Sequence, residues 1–195
     1  MGLWLGLLYY GPQWFQIRPA HELSGTSLDY QIPFLPETAW VYQSLFFLLP
    51  LALFVQPNKE HIAKFVSGFC LLVLTFSLFF WFYPTALPNP TYPDRIPWGY
   101  RYLVMAVDVH KNVFPSLHAA LCVYAGAWII TLKHKKKWIS SLVTLWIFLL
   151  LVSTLTTKQH ILIDVVVGAI TGLSFYMFTS APLISDSRIH CKPTK

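Results

Sequence analysis

Five long, nearly uninterrupted apolar blocks, 39–55, 62–83, 115–132, 138–156 and 160–178, constrain this chain more than any other feature. A helix needs about 20 mostly apolar residues to cross a bilayer's hydrocarbon core. In lipid, a segment must also satisfy its own backbone hydrogen bonds, which favours helices over open strands. The blocks therefore predict membrane-spanning helices. Composition agrees: 55% of residues are hydrophobic and 11% charged, where a soluble domain carries roughly 25% charged. A soluble Rossmann-like enzyme, a nucleic-acid-binding module and a disordered chain are excluded on these grounds. Residues 1–17 are apolar but short, with Gly11-Pro12 and two Gln. They lack a basic leader and a small-residue cleavage site, and are read as a sixth, short or tilted span. The expected fold is an all-α integral membrane protein, a six-helix bundle forming one transmembrane domain over 1–180. An extracytoplasmic loop is expected at 84–113 and a cytoplasmic tail at 181–195.

Lys and Arg accumulate in cytoplasmic loops, so their distribution orients the bundle. One side of the six-span arrangement holds Lys59, Lys64, Lys133, Lys135, Lys136, Lys137, Arg188, Lys192 and Lys195 against Glu60 and Asp186. The other side holds Arg18, Arg95, Arg101, Lys111 and Lys158 against Glu22, Asp29, Glu37, Asp94, Asp108 and Asp164. The first side is cytoplasmic on this rule, and both termini lie there. The basic excess reports topology, and no nucleic-acid partner is expected. Short loops and the lack of a glycosylation sequon point to a bacterial inner membrane with the opposite side facing the periplasm. Cys70, Cys122 and Cys191 are too few and scattered to staple the chain, and no internal repeat of the kind many transporters carry is present. On the outer side, Pro33 and Pro36 break helix ahead of the second span. The stretch 84–113 is rich in Pro, aromatic and ionisable residues, as functional loops and lids often are.

Two polar clusters stand where helices enter from that outer side. In FPSLHAA, Pro115 is placed to open a helix, with Ser116 in its first turn and His118 just inside. In TTKQHILIDVVVG, His160 and Asp164 are four apart and would share one helix face. Both clusters fall at the same membrane depth. An Asp one turn below a His can accept its ring proton and leave the other nitrogen as nucleophile or base. His118 could then protonate a leaving group, and Ser116 with the free amides of its helix would favour an anion. Lys158, with one or more of Arg95, Arg101 and Lys111, would neutralise phosphoryl oxygens. The constellation suits phosphoryl transfer through a histidine nucleophile, with no metal or cofactor. A satisfied polar pair joining helices is the bland alternative, and zinc would lack a clear fourth ligand. His21, His61, His110, His134 and His190 have no comparable companions and are read as solvated or interfacial.

The segments FPSLHAA and STLTTKQHILIDVVVG resemble the second and third signature motifs of the type 2 phosphatidic acid phosphatase (PAP2) superfamily, in the branch near the inositol-phosphorylceramide and sphingomyelin synthases. DYQIPFLPETAWVYQS is similar to the start of the second span in that branch, and the resemblance runs from about residue 28 to 175. It implies a six-helix bundle with its site at the outer surface. It also implies His160 as nucleophile, Asp164 as its orienting partner and His118 as general acid. Where the broad family opens its third motif with Ser-Arg, this chain has Ser153-Thr154. Where the first motif ends in Arg-Pro, it has Asn89-Pro90. The phosphate-binding role then falls to Ser116, Lys158, Arg95, Arg101 and Lys111. The expected activity is a metal-independent membrane lipid phosphatase acting on a phosphomonoester or diphosphate. A lipid phosphotransferase using a lipid or sugar hydroxyl acceptor is the alternative within the same chemistry. A non-catalytic transporter or structural protein is the alternative outside it, although the spans carry few midplane polar residues beyond Thr75, Ser77 and Thr144.

Overall fold

A computed structural model describes residues 8, 10–15, 17–88, 97–101, 111–132 and 136–189. Its helices are α1 (Ser27–Gln31), α2 (Ala39–Gln43), α3 (Leu45–Phe54), α4 (Lys59–Phe82), α5 (Trp98–Tyr100), α6 (Leu117–Ile130), α7 (Lys137–Thr156) and α8 (Leu162–Ile189). Two short strands, β1 (His21–Glu22) and β2 (Thr85–Ala86), pair in parallel. Ala86 also bridges Lys111 in the antiparallel sense, so three separate segments meet in one small patch.

Among the described residues, four stretches are long and apolar enough to cross a membrane: Pro36–Phe54, Lys59–Phe82, Lys137–Thr156 and Leu162–Ser180. The apolar α6 has 14 residues, a rise of about 21 Å against a hydrocarbon core of roughly 30 Å. Part of the expected first span, residues 1–7, 9 and 16, lies outside the described residues. Of the rest, residues 10–14 are helical, and Leu8 accepts a hydrogen bond from Ser77 Oγ on α4 at 2.7 Å.

Several element boundaries differ from the sequence expectation, each for a local reason. The first apolar block is not one smooth helix. A 3-10 turn at Pro36–Thr38 leads into α2, and the helix is interrupted at Ser44. Ser44 Oγ donates to the Val41 carbonyl (2.6 Å) and accepts from Trp146 Nε1 on α7 (2.8 Å). The α6 helix opens at Leu117 rather than Pro115, because Ser116 adopts an extended backbone and caps it, Oγ accepting from Ala119 N at 3.2 Å. Ser116 is thus the cap and not a first-turn residue. The final helix begins at Leu162, two residues later than expected. Lys158 takes a left-handed conformation, φ 57°, which an L side chain adopts only locally and which stops α7 from continuing.

The α6 helix is the centre of the bundle. Its Ala119, Ala120, Cys122, Tyr124 and Ala125 are fully buried, and α3, α4, α7 and α8 all pack on it. Tyr124 donates its hydroxyl to the Phe65 carbonyl of α4 at 2.8 Å, satisfying a polar atom inside the apolar core. The periphery is apolar too, with Phe46, Phe47, Phe54, Phe82, Phe148, Ile170 and Phe178 exposed, the surface expected against lipid.

The closest helix pair is α6 on α8, and small residues permit it. Gly168 and Gly172, one turn apart on α8, lie against α6. A Cβ at Gly168 would collide with the Ser116 carbonyl oxygen, and one at Gly172 with that of Ala120. Such small-xxx-small spacing lets backbones approach in lipid, where dispersion and polar contacts replace the hydrophobic drive. The obstacle at both positions is backbone, which cannot swing aside. Gly172→Ala is expected to destabilise the protein by about 1–3 kcal/mol through overpacking, measured as a lower unfolding temperature in detergent. An unchanged temperature would show that the helices do not approach this closely.

Candidate active site

The ends of α6, α7 and α8 on one side of the bundle bring His118, His160 and Asp164 near one another. The five-residue connection between α7 and α8 is held by its own backbone: Thr154 O accepts from Gln159 N (3.2 Å) and His160 N (3.3 Å), and Ser153 O from Thr157 N (2.9 Å). His160 therefore sits in the turn before α8 and not on its face. Asp164 lies in the first turn of α8, where its Oδ2 accepts from Ile161 N at 3.0 Å. The two still meet, His160 Nδ1 lying 3.6 Å from Asp164 Oδ2, with the histidine side chain 8% exposed and the carboxylate wholly buried.

His118 approaches from α6. Its ring stacks on Tyr42 of α2, centroids 3.9 Å apart and planes 10° from parallel. The ring also hydrogen-bonds to the Tyr42 backbone, and it lies within electrostatic reach of His160. The α6 and α8 starts are joined directly, Ser116 N donating to the Asp164 carbonyl at 3.1 Å. Buried side-chain atoms are rarely left unpaired, yet His118 Nε2, His160 Nδ1, Asp164 Oδ1 and Gln159 Oε1 have no hydrogen-bond partner here. Unmatched polar atoms of this kind gather where a polar ligand or water is received.

His160 also borders a cavity of about 550 Å³, whose walls include Ile32, Pro33, Phe34, Leu155 and Ile161, with Asp29 and Lys158 as its charged members. Lys158 reaches this wall, but its ammonium donates to the Asp29 carbonyl (2.9 Å) and the Ile32 carbonyl (2.5 Å). Of its three N–H bonds, one is left for a ligand. Burial pushes Lys158 below the ordinary lysine value, opposed by the charge of Asp29. Among the described residues, the other expected phosphate ligands, Ser116, Arg101 and Lys111, do not line the cavity. Ser116 is fully buried as the α6 cap, Arg101 is exposed, and Lys111 joins the strand patch. Arg95 and Asn89-Pro90 lie outside the described residues. Thr154, standing at the position of the family arginine, turns its hydroxyl onto the Leu151 carbonyl at 2.7 Å. Among the described residues, no three His, Cys, Asp or Glu side chains gather as a metal site.

Three residues absent from the sequence expectation hold this turn. Tyr100 of α5, 1% exposed, donates its hydroxyl to the Thr157 carbonyl (2.8 Å) and accepts from Gln159 Nε2 (3.1 Å). Asp29 of α1 accepts from Leu162 N through Oδ1 (2.7 Å) and from Thr26 N and Oγ1 through Oδ2 (2.7 Å each). Burial pushes the Asp29 carboxyl up. The Thr26 hydroxyl, the amides of Leu162 and Thr26, and the charge of Lys158 outweigh that and hold it below the usual carboxylate range. A signal for Asp29 was present, since Thr26-x-x-Asp29 is a capping-box pattern. Nothing in the sequence marks Tyr100 as the partner of Thr157 and Gln159, because those contacts span 57 and 59 residues.

A model of the PAP2 superfamily matches residues 12–178. The chain, an integral membrane protein with apolar spanning helices, belongs to that superfamily. No curated protein and no solved structure matches it.

Two predictions follow from the turn. Tyr100→Phe keeps the ring but removes both bonds of the hydroxyl and leaves the Thr157 carbonyl only the 3.4 Å bond from Gln159 Nε2, so a loss of about 1–3 kcal/mol is expected in unfolding experiments; no loss would mean the hydroxyl is not engaged. Because Asp29 is depressed in the folded state, its stabilising contribution is fully present above about pH 4, the ordinary carboxylate value, and is lost as pH falls through the lower folded value. Unfolding temperature followed from pH 7 downward is expected to fall more steeply in that acid window for wild type than for Asp29→Asn. Parallel curves would remove Asp29 from the account.

Proposed function

We propose that this protein is a membrane lipid phosphatase working through a phosphohistidine intermediate at the outer face of the bilayer. The observation that carries the reading is the buried His160–Asp164 pair at the edge of a 550 Å³ cavity, with His118 close by on the neighbouring helix. In this reading Asp164 accepts the Nδ1 proton of His160 and leaves Nε2 as nucleophile. Nε2 attacks phosphorus, forming the P–N bond as the bond from phosphorus to the lipid oxygen breaks. His118, protonated at Nε2, gives its proton to that oxygen, and the lipid alcohol leaves. Water then attacks the phosphohistidine, His118 takes a proton from it, the P–N bond breaks and inorganic phosphate departs. Among the described residues Lys158 has one N–H bond left for a phosphoryl oxygen, and Ser116, Arg95, Arg101 and Lys111 remain candidates for the other contacts. The apolar walls at Ile32, Phe34, Leu155 and Ile161 suit the first part of an acyl or prenyl chain.

The same walls favour a second reading, in which a lipid or sugar hydroxyl takes the place of water and the product is a new phosphodiester or phosphomonoester. Transport fits less well. Thr75 and Thr144 return their hydroxyls to the carbonyls of Leu71 and Ser140 on their own helices, and Ser77 is engaged by Leu8, so these polar side chains do not form a free lane.

The test is turnover of a panel of lipid phosphates and diphosphates in detergent, with and without acceptor alcohols, reading free phosphate and lipid products by mass spectrometry. Wild type is expected to release phosphate and His160→Ala to release none. His118→Ala should lose about 10²–10⁴-fold and Asp164→Asn about 10–100-fold. Acceptor-dependent headgroup transfer with little free phosphate would move the assignment to a transferase. Undiminished turnover in His160→Ala would overturn both.

A further inference from the structure

The turn carrying His160 is tied to one residue from a distant part of the chain. Asp29 touches it on both sides: its backbone carbonyl receives the Lys158 ammonium at 2.9 Å, and its Oδ1 receives the Leu162 amide at 2.7 Å. His160 stands midway between those two attachments. Leu162 is the first residue of α8, so Asp29 supplies from α1 a cap to one of the amides that a helix start leaves unbonded. An acidic group is favoured there by the helix dipole as well. The carboxylate is fixed in turn by Thr26, whose amide and hydroxyl both bond Oδ2 at 2.7 Å. Three donors thus converge on Asp29, which leaves it poorly suited to proton transfer. Asp164 Oδ1, by contrast, is unbonded.

We propose that Asp29 is a positioning residue for His160: it clamps residues 158 and 162 and so fixes where the imidazole stands relative to Asp164 and the cavity. The proposal rests on the reading of His160 as nucleophile. Its premise is that orientation matters, since a displacement of about 1 Å at a reacting group can reduce rate about 10²-fold. Asp29 lines the same cavity as His160, so the clamp also forms part of its wall. Asn in its place retains an Oδ1 acceptor for the Leu162 amide, whereas Ala retains none.

The experiment uses the full chain in detergent as wild type, Asp29→Ala, Asp29→Asn and His160→Ala. Hydrogen exchange resolved on peptides covering 157–165 requires no substrate. Asp29→Ala is expected to speed exchange at the Leu162 amide about tenfold or more while α6 keeps its protection, the mark of a local opening. Asp29→Asn is expected to stay near wild type. Exchange unchanged in Asp29→Ala, or raised equally across α6 and α8, would overturn the clamp. In parallel, turnover of dioleoyl phosphatidate in mixed micelles is expected to show kcat reduced about 10–100-fold in Asp29→Ala with KM within about threefold, restored for the most part in Asp29→Asn. An Asp29→Ala enzyme with normal kcat would overturn the positioning role even if exchange had risen. If His160→Ala turned over like wild type, the reading of the nucleophile would fail, and the exchange result would still decide whether Asp29 holds the turn. If wild type leaves phosphatidate unchanged, the exchange result alone decides the clamp.

Discussion

The close seating of α8 on α6 is the constraint from which the rest follows. Two glycines one turn apart bring α8 onto backbone carbonyls of α6, and the Ser116 amide completes the contact by bonding the Asp164 carbonyl. In a bilayer, apolar side chains gain little by leaving lipid for one another, so geometry of this kind takes over the task of choosing partners. The site inherits its register from that choice. His118 lies one turn into α6, His160 and Asp164 lie at the mouth of α8, and shifting one helix along the other by a turn would separate them by about 5.4 Å.

Around this rigid pair the end of the bundle that carries His118 and His160 is assembled from short, polar, non-helical pieces. Such backbone is tolerated at membrane depth only where its groups are bonded within the protein, and here they are. The hydroxyls of Ser153, Thr154, Thr156 and Thr157 return to carbonyls of α7. Thr38 and Leu35 bond Thr156, and Tyr100 bonds Thr157. The end of α7 and the turn before α8 are thereby connected to two segments far away in sequence, 35–38 and Tyr100. Against these bonded groups, the unpaired atoms of His118, His160 and Asp164 belong to the residues expected to do chemistry, with Gln159 Oε1 in the same turn as His160; Gln13, Gln56, Asn112, Trp128 and Ser180 carry further unpaired atoms elsewhere.

Apolar blocks long enough to span lipid read directly from the sequence, because length and hydropathy alone define them; α4 and α7 fall close to where the sequence puts them. The pairing of His160 with Asp164 was legible too, since four-residue spacing keeps two groups near each other even when one precedes the helix. Less was legible where tertiary contact overrides local pattern. The start of α8 moved because Lys158 adopts a left-handed backbone, a conformation no motif at that position announces. Lys158, expected as a phosphate-binding cation, directs two of its three N–H bonds to carbonyls of the segment 29–32 and keeps one. A lone basic residue near a motif says nothing of which acceptor will reach it first. Ser116, expected to help hold an anion, also caps its own helix, a use that the motif alone does not announce.

In the proposed mechanism, the packing of α6 on α8 sets His160 as nucleophile with His118 near it as proton donor. Trapping the intermediate tests this most directly. Wild type and His118→Gln would be mixed with a lipid phosphate from the turnover panel, quenched in alkali within a second, and digested for phosphopeptide mapping. The account predicts phosphate on the imidazole of His160 in wild type and none in His160→Ala. It also predicts slower formation in His118→Gln, because the leaving oxygen is no longer protonated. Phosphate released by the wild type with no label on His160 at any time, or label on another residue that survives His160→Ala, would contradict it.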